Sequence, residues 1–346
     1  MKVALIGLMQ SGKSTLLSGI SGKGVRAGGA GVEEEVVPVP DERLDWLAEH
    51  YERRKPVHAM VDCLDLPGLA FGDEHTRAAA RRLFEQVRTV DMFVIVVKAY
   101  GDGSNPVKDL TELQTEFLLA DLELVTTRID KLEKQIHKPT KTQTHDKAEL
   151  ALQLKLQEGL EAEKPVKSLI ESENELELIK PLGFLTAKPA MVVVNVGEDQ
   201  LEQEYKFDNL DESVEVVSLC AKLESELAQL DAESRKEFMA DLGITEAAVN
   251  RFVQSCYATL GLISFLTIGK DEVRAWPIRQ GTSALDAAGK VHSDMKRGFI
   301  RAETIAFSDL KELGDEKAVK AAGKARLEGK SYIVQDGDVI KFRFNV

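Results

Sequence analysis

The sequence predicts an α/β fold carrying two additions, a helical hairpin inserted into it and a small C-terminal module rich in strands. Three patterns in the 346 residues predict it. Short, nearly continuous apolar runs such as Met92-Phe93-Val94-Ile95-Val96-Val97 alternate with amphipathic stretches, as strands of a parallel sheet covered on both faces require. A stripe of aliphatic residues at heptad-like spacing follows. Close to the end, Asp336-Gly337 lies between two apolar runs, a hairpin signal.

In chain order, Lys2–Leu8, Val57–Leu64 and Phe93–Val97 read as strands, and Ser14–Ile20 and Thr76–Val90 as helices. Leu118, Leu122, Val125, Ile129, Leu132 and Ile136 then repeat at intervals of four and three, the seam of a helix that packs along a partner. The segment His137–Lys141 breaks that helix, and Leu152, Leu156 and Leu160 resume a stripe at every fourth position. The reading is an antiparallel hairpin over 112–179, with a pair of ordinary core helices as the alternative. Strands return at Ala190–Val194 and Val214–Leu219, followed by helices over Lys222–Leu230 and on through Tyr257. After Leu262 come short strands at Glu272–Trp276, Tyr332–Val334 and Val339–Phe344, the last two expected to pair across Gln335–Asp338. The domain boundaries that result are 1–111 with 180–261, the hairpin 112–179, and the module 262–346.

Composition excludes several classes. With 43% hydrophobic and 30% charged residues the chain is neither globally disordered nor collagen-like. Cys63, Cys220 and Cys256 are odd in number and widely spaced, which suits reduced thiols in the cytoplasm better than a disulfide framework or a metal site. The first apolar run is too short for a secretory signal, and no stretch is long and apolar enough to span a membrane. A net charge of −13 disfavours DNA, but the charge is uneven: Lys270–Val346 holds fifteen Lys/Arg against twelve Asp/Glu. Any nucleic-acid surface belongs at that end, and a merely solvated surface explains the same balance.

The chemistry sits at the start. Gly7-Leu8-Met9-Gln10-Ser11-Gly12-Lys13-Ser14 fits G-x-x-x-x-G-K-[ST] between a strand and a helix, where backbone amides and the helix N-terminus face phosphate oxygens. On this reading Gln10, Ser11, Gly12, Lys13, Ser14 and Thr15 hold the phosphates, Lys13 neutralises the β- and γ-phosphates, and Ser14 ligates Mg²⁺. A second acidic group comes from Asp65-Leu66-Pro67-Gly68, with Asp65 on the metal side and the Gly68 amide toward the γ-phosphate. That order of motifs points to the GTPase-related class of P-loop proteins. Asn195-Val196-Gly197-Glu198 occupies the place of the guanine-reading N-K-x-D; the longer Glu198 misplaces guanine contacts and favours ATP, with GTP still open. Ser218-Leu219-Cys220-Ala221 would close over the base, with Cys220 and Ala221 as the contacts, or is simply an apolar strand end.

These residues make the chain similar to the YchF/Obg-like ATPase family over nearly its whole length. The resemblance rests on the phosphate loop, Val36–Ala48 (VVPVPDERLDWLA), the Asp65–Gly68 loop, Ala120–Val125 (ADLELV), Phe184–Asp199 (FLTAKPAMVVVNVGED) and Cys220–Leu227 (CAKLESEL). At the C-terminal end, Glu272–Glu303 and the run EGKSYIVQDGDVIKFRFNV look like that family's TGS domain, a ubiquitin-like β-grasp. The resemblance implies a P-loop NTPase G domain with a β-grasp appendage, an ATP-preferring protein with Mg²⁺ that hydrolyses slowly and works at the ribosome. Arg274, Arg279, Lys290, Lys296, Arg297 and Arg301 are the residues expected to dock ribosomal RNA or protein, with the chain a monomer. The alternative is a catalytically impaired or nucleotide-independent adaptor; a small-molecule kinase is the third reading, without a visible arginine lid.

Departures from the family pattern bear on catalysis. Gln10-Ser11 stands where members carry Asn-Val, and Gly24–Gly31 contains no hydroxyl where members carry a Thr that ligates Mg²⁺. Leu69 follows the second motif in place of a water-orienting Gln. The loop Tyr100–Pro106 lacks the family's His; His75 in the second switch could substitute, and a merely solvated residue is the alternative reading.

Overall fold

The computed structural model describes residues 1–23, 31–51, 54–137, 142–208, 210–211, 214–242 and 247–345. Contacts divide the chain into two compact units, Met1–Glu35 with Asp62–Thr245, and Val36–Val61 with Glu246–Val346.

In the first unit, β1 (Lys2–Ile6) leads into α1 (Lys13–Ser21), and β2 (Glu33–Pro38) continues into the second unit, which holds α2 (Glu42–His50) and β3 (Lys55–Val57). The chain returns through β4 (Met60–Asp65), α3 (Glu74–Val87) and β5 (Met92–Lys98). The hairpin follows as α4 (Pro106–Gln135) and α5 (Gln143–Glu161), with the short helices α6 (Val166–Leu169) and α7 (Glu173–Ile179). Then come β6 (Ala190–Asn195), β7 (Val216–Leu219), α8 (Ala221–Gln229) and α9 (Ala232–Asp241). The sheet order is β2-β4-β1-β5-β6-β7, and the run from β4 to β7 is parallel. Met92–Val97 are all buried, as the uninterrupted apolar pattern predicts for a strand covered on both faces. β1 lies between β4 and β5, so the loop at its C-terminal end opens beside the ends of both neighbours.

The aliphatic stripe forms the hairpin core: Val125, Ile129, Leu132, Leu152, Leu156 and Leu160 are buried, and α4 is one unbroken 30-residue helix starting at Pro106. The break expected at His137–Lys141 falls mostly on residues outside those described. Asp121 is fully buried in the same unit and accepts from the Leu185 and Thr186 amides and the Thr186 hydroxyl, with Arg88 at 3.1 Å. That set of partners explains why a carboxylate is tolerated there.

The second unit contains α10 (Ala248–Thr259), β8 (Leu262–Ile268), β9 (Glu272–Arg279), α11 (Ala284–Val291), α12 (Ser293–Arg297), β10 (Phe299–Ala306), α13 (Phe307–Leu313), α14 (Glu316–Ala321), β11 (Arg326–Glu328) and β12 (Asp338–Phe344). Its sheet order is β11-β10-β12-β8-β9-β3, with β8 antiparallel to β9 and parallel to β12, a β-grasp arrangement with α11 packed against it. Two expectations are corrected here. Tyr332–Val334 is no strand and Asp336-Gly337 closes no hairpin: β12 pairs instead with β10 and β8, and the Asp336 carboxylate accepts from the Ser264 amide and Arg43. The segment 36–61, assigned by sequence to the first domain, clusters with this unit, because Leu44, Leu47 and Ala48 bury against Leu266, Val273 and Leu310 while β3 pairs with β9.

Candidate functional site

Between β1 and α1 the chain makes a tight turn. Gly7 lies so close to β5 that a Cβ there would sit 2.3 Å from the Val96 carbonyl oxygen, and Gly12 has a φ of +94° in the left-handed region. Gln10 also takes a positive φ of 60°, held from outside by the Tyr100 hydroxyl, which donates to the Gln10 carbonyl at 2.7 Å. The turn delivers α1 without a side-chain cap or an acidic residue in its first turn. The amides of Gly12, Lys13, Ser14 and Thr15 consequently donate to no oxygen among the described residues. Four free donors and the positive end of a helix dipole face one place.

That place is a cavity of about 430 Å³, lined by Gln10 to Thr15, Gly31, Glu33, Asp65 to Gly68 and Tyr100. Lys13 is 5% exposed and its ammonium donates to the carbonyls of Gly7 (3.0 Å) and Leu8 (3.1 Å) and to Ser11 Oγ (3.3 Å). Burial pushes its pKa down to about 8, partly opposed by the charge of Asp65. Ser14 Oγ donates to Asp65 Oδ2 at 2.6 Å, while Asp65 Oδ1 is buried with no partner among the described residues. Burial raises the Asp65 pKa, the Ser14 hydrogen bond and Lys13 lower it, and Glu33 raises it further. A hydroxyl beside a carboxylate with one orphaned oxygen is the donor chemistry that a hard divalent cation takes, so the residues fit Mg²⁺. No cluster of three or more His, Cys, Asp or Glu residues that could bind a metal occurs among the described residues, so other coordination places would fall to nucleotide oxygens and water.

The phosphate-side residues expected from sequence therefore come together: Gln10, Ser11, Gly12, Lys13, Ser14, Thr15, Asp65 and Gly68 share the cavity. The base-side residues do not line it. Asn195 is 4% exposed and joins the two sides, donating through Nδ2 to the Ser11 carbonyl (2.9 Å) and accepting at Oδ1 from the Ala221 amide (3.0 Å). Val196 and Cys220 turn their side chains into the core and Ala221 is 1% exposed, so no side chain of these three is presented to the surface. Glu198 is exposed and pairs with Lys222 at 2.9 Å.

Leu69 is 2% exposed and packs in the core, its backbone bridging to Leu8, so no side chain from that position reaches the cavity. His75 lies exposed in the first turn of α3 and is absent from the cavity lining. The loop expected to lack a metal-ligating hydroxyl falls on 24–30, outside the described residues, apart from exposed Gly31. Sequence reasoning missed Tyr100 and Glu33, which reach the cavity from separate elements with no motif around them. Cys63 is 1% exposed with its thiol pushed up to about 12 by burial, a protonated and unreactive group. In the second unit Arg274, Lys296 and Arg297 are engaged by Glu272, Asp286 and Asp294, whereas Arg279, Lys290 and Arg301 are exposed without an ion pair among the described residues. No helix among the described residues is long and apolar enough to cross a membrane.

Comparisons with known proteins place the chain among P-loop relatives. A family profile described as a 50S ribosome-binding GTPase matches residues 2–128. Another, for the C-terminal region of YchF GTPases and described as a protein of unknown function, matches residues 262–345. The chain is 37% identical to the ribosome-binding ATPase YchF of Bacillus subtilis, across 99% of this chain and 98% of that protein. It is 33% identical to Obg-like ATPase 1 of Bos taurus, across 100% of this chain and 92% of that protein. The solved structure of the Schizosaccharomyces pombe YchF GTPase superposes with a TM-score of 0.83 at 28% identity, covering 99% of this chain and 97% of that one.

Proposed function

Because the chain belongs to the YchF/Obg-like ATPase family, we propose that its loop cavity binds the triphosphate of ATP in preference to GTP, together with Mg²⁺, and hydrolyses it slowly. The observation that carries this reading is the set of four acceptorless amides, Gly12 to Thr15, converging with the buried Lys13 ammonium on one cavity. Ser14 and Asp65 would hold the cation, which when bound neutralises charge on the β- and γ-phosphate oxygens. The names of the relatives speak for a hydrolase rather than for the nucleotide-independent adaptor.

Asn195 fixes the base-side segment to the phosphate loop, and exposed Glu198, tethered by Lys222, supplies the acceptor for the adenine amine. Titration calorimetry with ATP and GTP, each with and without Mg²⁺, tests the assignment. ATP is expected to bind at least about tenfold tighter, a difference of about 1.4 kcal/mol, and a GTP preference of that size would reverse the base assignment.

Hydrolysis is slow because the place of a water-orienting side chain is taken by Leu69, which serves the core. Turnover of about 10⁻⁴ to 10⁻² s⁻¹ suits so sparse a site, and a partner that supplies a charged residue can add about 10³ or more. Leu69→Gln is accordingly expected not to speed hydrolysis but to destabilise the first unit by about 2–4 kcal/mol, since an amide replaces a buried aliphatic group. Single-turnover assays and thermal melts read both effects, and a tenfold faster turnover would contradict the placement of Leu69.

The partner proposed for the C-terminal unit, whose β-grasp we read as a TGS domain, is the ribosome, with Arg279, Lys290 and Arg301, exposed and without an ion pair among the described residues, offered to phosphate. The protein acts there as a cytoplasmic monomer.

A further inference from the structure

β2 opens with three consecutive glutamates, and they meet three different surroundings. Glu34 forms an exposed pair with Lys2 at 3.6 Å, and Glu35 is buried against Lys23. Glu33 lines the phosphate cavity with Ser14 and Asp65, is half-buried, and pairs with no cation among the described residues. It lies close enough for its charge to act on Asp65, the residue whose buried Oδ1 has no partner. Two carboxylates facing one cavity repel each other, and both repel a polyphosphate, unless a cation enters between them. The available donors, two carboxylates and the Ser14 hydroxyl, are all hard oxygens suited to Mg²⁺ or Mn²⁺.

We propose that Glu33 is a ligand of the divalent cation, directly or through one of its waters, so that Glu33, Asp65 and Ser14 hold the ion before nucleotide arrives. This rests on the nucleotide reading of the cavity and extends it. Glu33 then has opposite effects under two conditions: without metal it opposes nucleotide binding by charge, and with metal it assists. Nucleotide affinity in this chain is thereby made to depend on the cation more steeply than Ser14 and Asp65 alone would make it.

The test uses the full chain, with Mn²⁺ as probe, followed by electron paramagnetic resonance in the absence of nucleotide. Wild type is expected to bind Mn²⁺, Glu33→Gln to bind it at least tenfold more weakly, and Glu33→Asp, which keeps the charge, to stay within a few-fold of wild type. In parallel, ADP and ATP titrations in EDTA should show Glu33→Gln binding several-fold tighter than wild type, with the order reversed in Mg²⁺. Wild type that takes up no Mn²⁺ without nucleotide, or Mn²⁺ and nucleotide affinities unaltered by Glu33→Gln in a protein that still binds Mg-ATP, would overturn the role of Glu33 and leave the nucleotide site standing. Failure of wild type to bind any nucleotide, with Mn²⁺ binding still sensitive to Glu33→Gln, would instead sink the nucleotide reading alone.

Discussion

Replacing Lys13 by alanine is expected to weaken Mg-ATP binding at least about a hundredfold, or roughly 2.8 kcal/mol, the size of one or two charge-assisted hydrogen bonds to phosphate. The side chain is 5% exposed and its hydrogen bonds go to Gly7, Leu8 and Ser11 of the loop, so its loss removes the one cation lining the cavity among the described residues while the sheet beneath stays intact. Calorimetry measures the affinity, and a thermal midpoint within a few degrees of wild type shows that the fold survives. A pH dependence follows from the same residue. Burial brings the Lys13 pKa down to about 8 in the free protein. Phosphate favours the ammonium form, so binding above pH 8 must take up a proton. The apparent affinity should hold below about pH 7 and fall toward tenfold per unit above pH 8. Lys13→Ala should lack this dependence. For stability the sign is the reverse: between about pH 8 and the ordinary lysine value of 10.5 the unfolded chain binds more protons, so the contribution of this group to stability rises across that window. Below pH 8 the cost of burying the charge is carried in full.

Asn195→Ala is the second large effect, expected to cost about 2–6 kcal/mol of stability and at least about tenfold in nucleotide affinity. The asparagine is nine-tenths buried and satisfies the Ser11 carbonyl and the Ala221 amide at once. Alanine strands both, at about 1–3 kcal/mol for each buried unpaired group. The affinity falls because Ser11 belongs to the phosphate loop and Ala221 opens α8, so the two halves of the site lose their common anchor. In the wild type Gly12 packs so closely on the Asn195 side-chain amide that a Cβ there would lie 2.0 Å from Nδ2, which holds that amide against the loop. Urea denaturation and calorimetry check the two numbers; stability and affinity both equal to wild type would show that Asn195 anchors nothing.

What could be read from the sequence depends on whether the signal was local. The central strands were legible because burial on both faces demands apolar residues at every position, as in Met92–Val97. The phosphate loop was legible because Gly7, Gly12, Lys13 and Ser14 fall in one eight-residue pattern, although the close approaches that exclude a Cβ at Gly7 and Gly12 come from distant Val96 and Asn195. The hairpin was legible through a periodic stripe, although α4 starts earlier than the stripe does. Long-range choices were not. Asp336-Gly337 has a hairpin's local chemistry, yet β12 is claimed by β10 and β8, partners more than 30 and 70 residues away in sequence. The transfer of α2 to the C-terminal sheet is written in Leu44 and Leu47, whose helical pattern states that they are buried but not against what. Val196 and Cys220 belong to segments assigned by sequence to base binding, and their side chains turn inward into the core instead. Glu33 and Tyr100 were invisible because a cavity gathers residues from β2 and from the loop after β5 that share no spacing rule.

The most direct test of the nucleotide site is a crystal structure of the chain grown with Mg²⁺ and a non-hydrolysable ATP analogue. The triphosphate is expected to be wrapped by the amides of Gly12 to Thr15, with the cation on Ser14 and Asp65. A triphosphate bound elsewhere, or these amides turned away from a cavity that stays empty at saturating analogue, would contradict it.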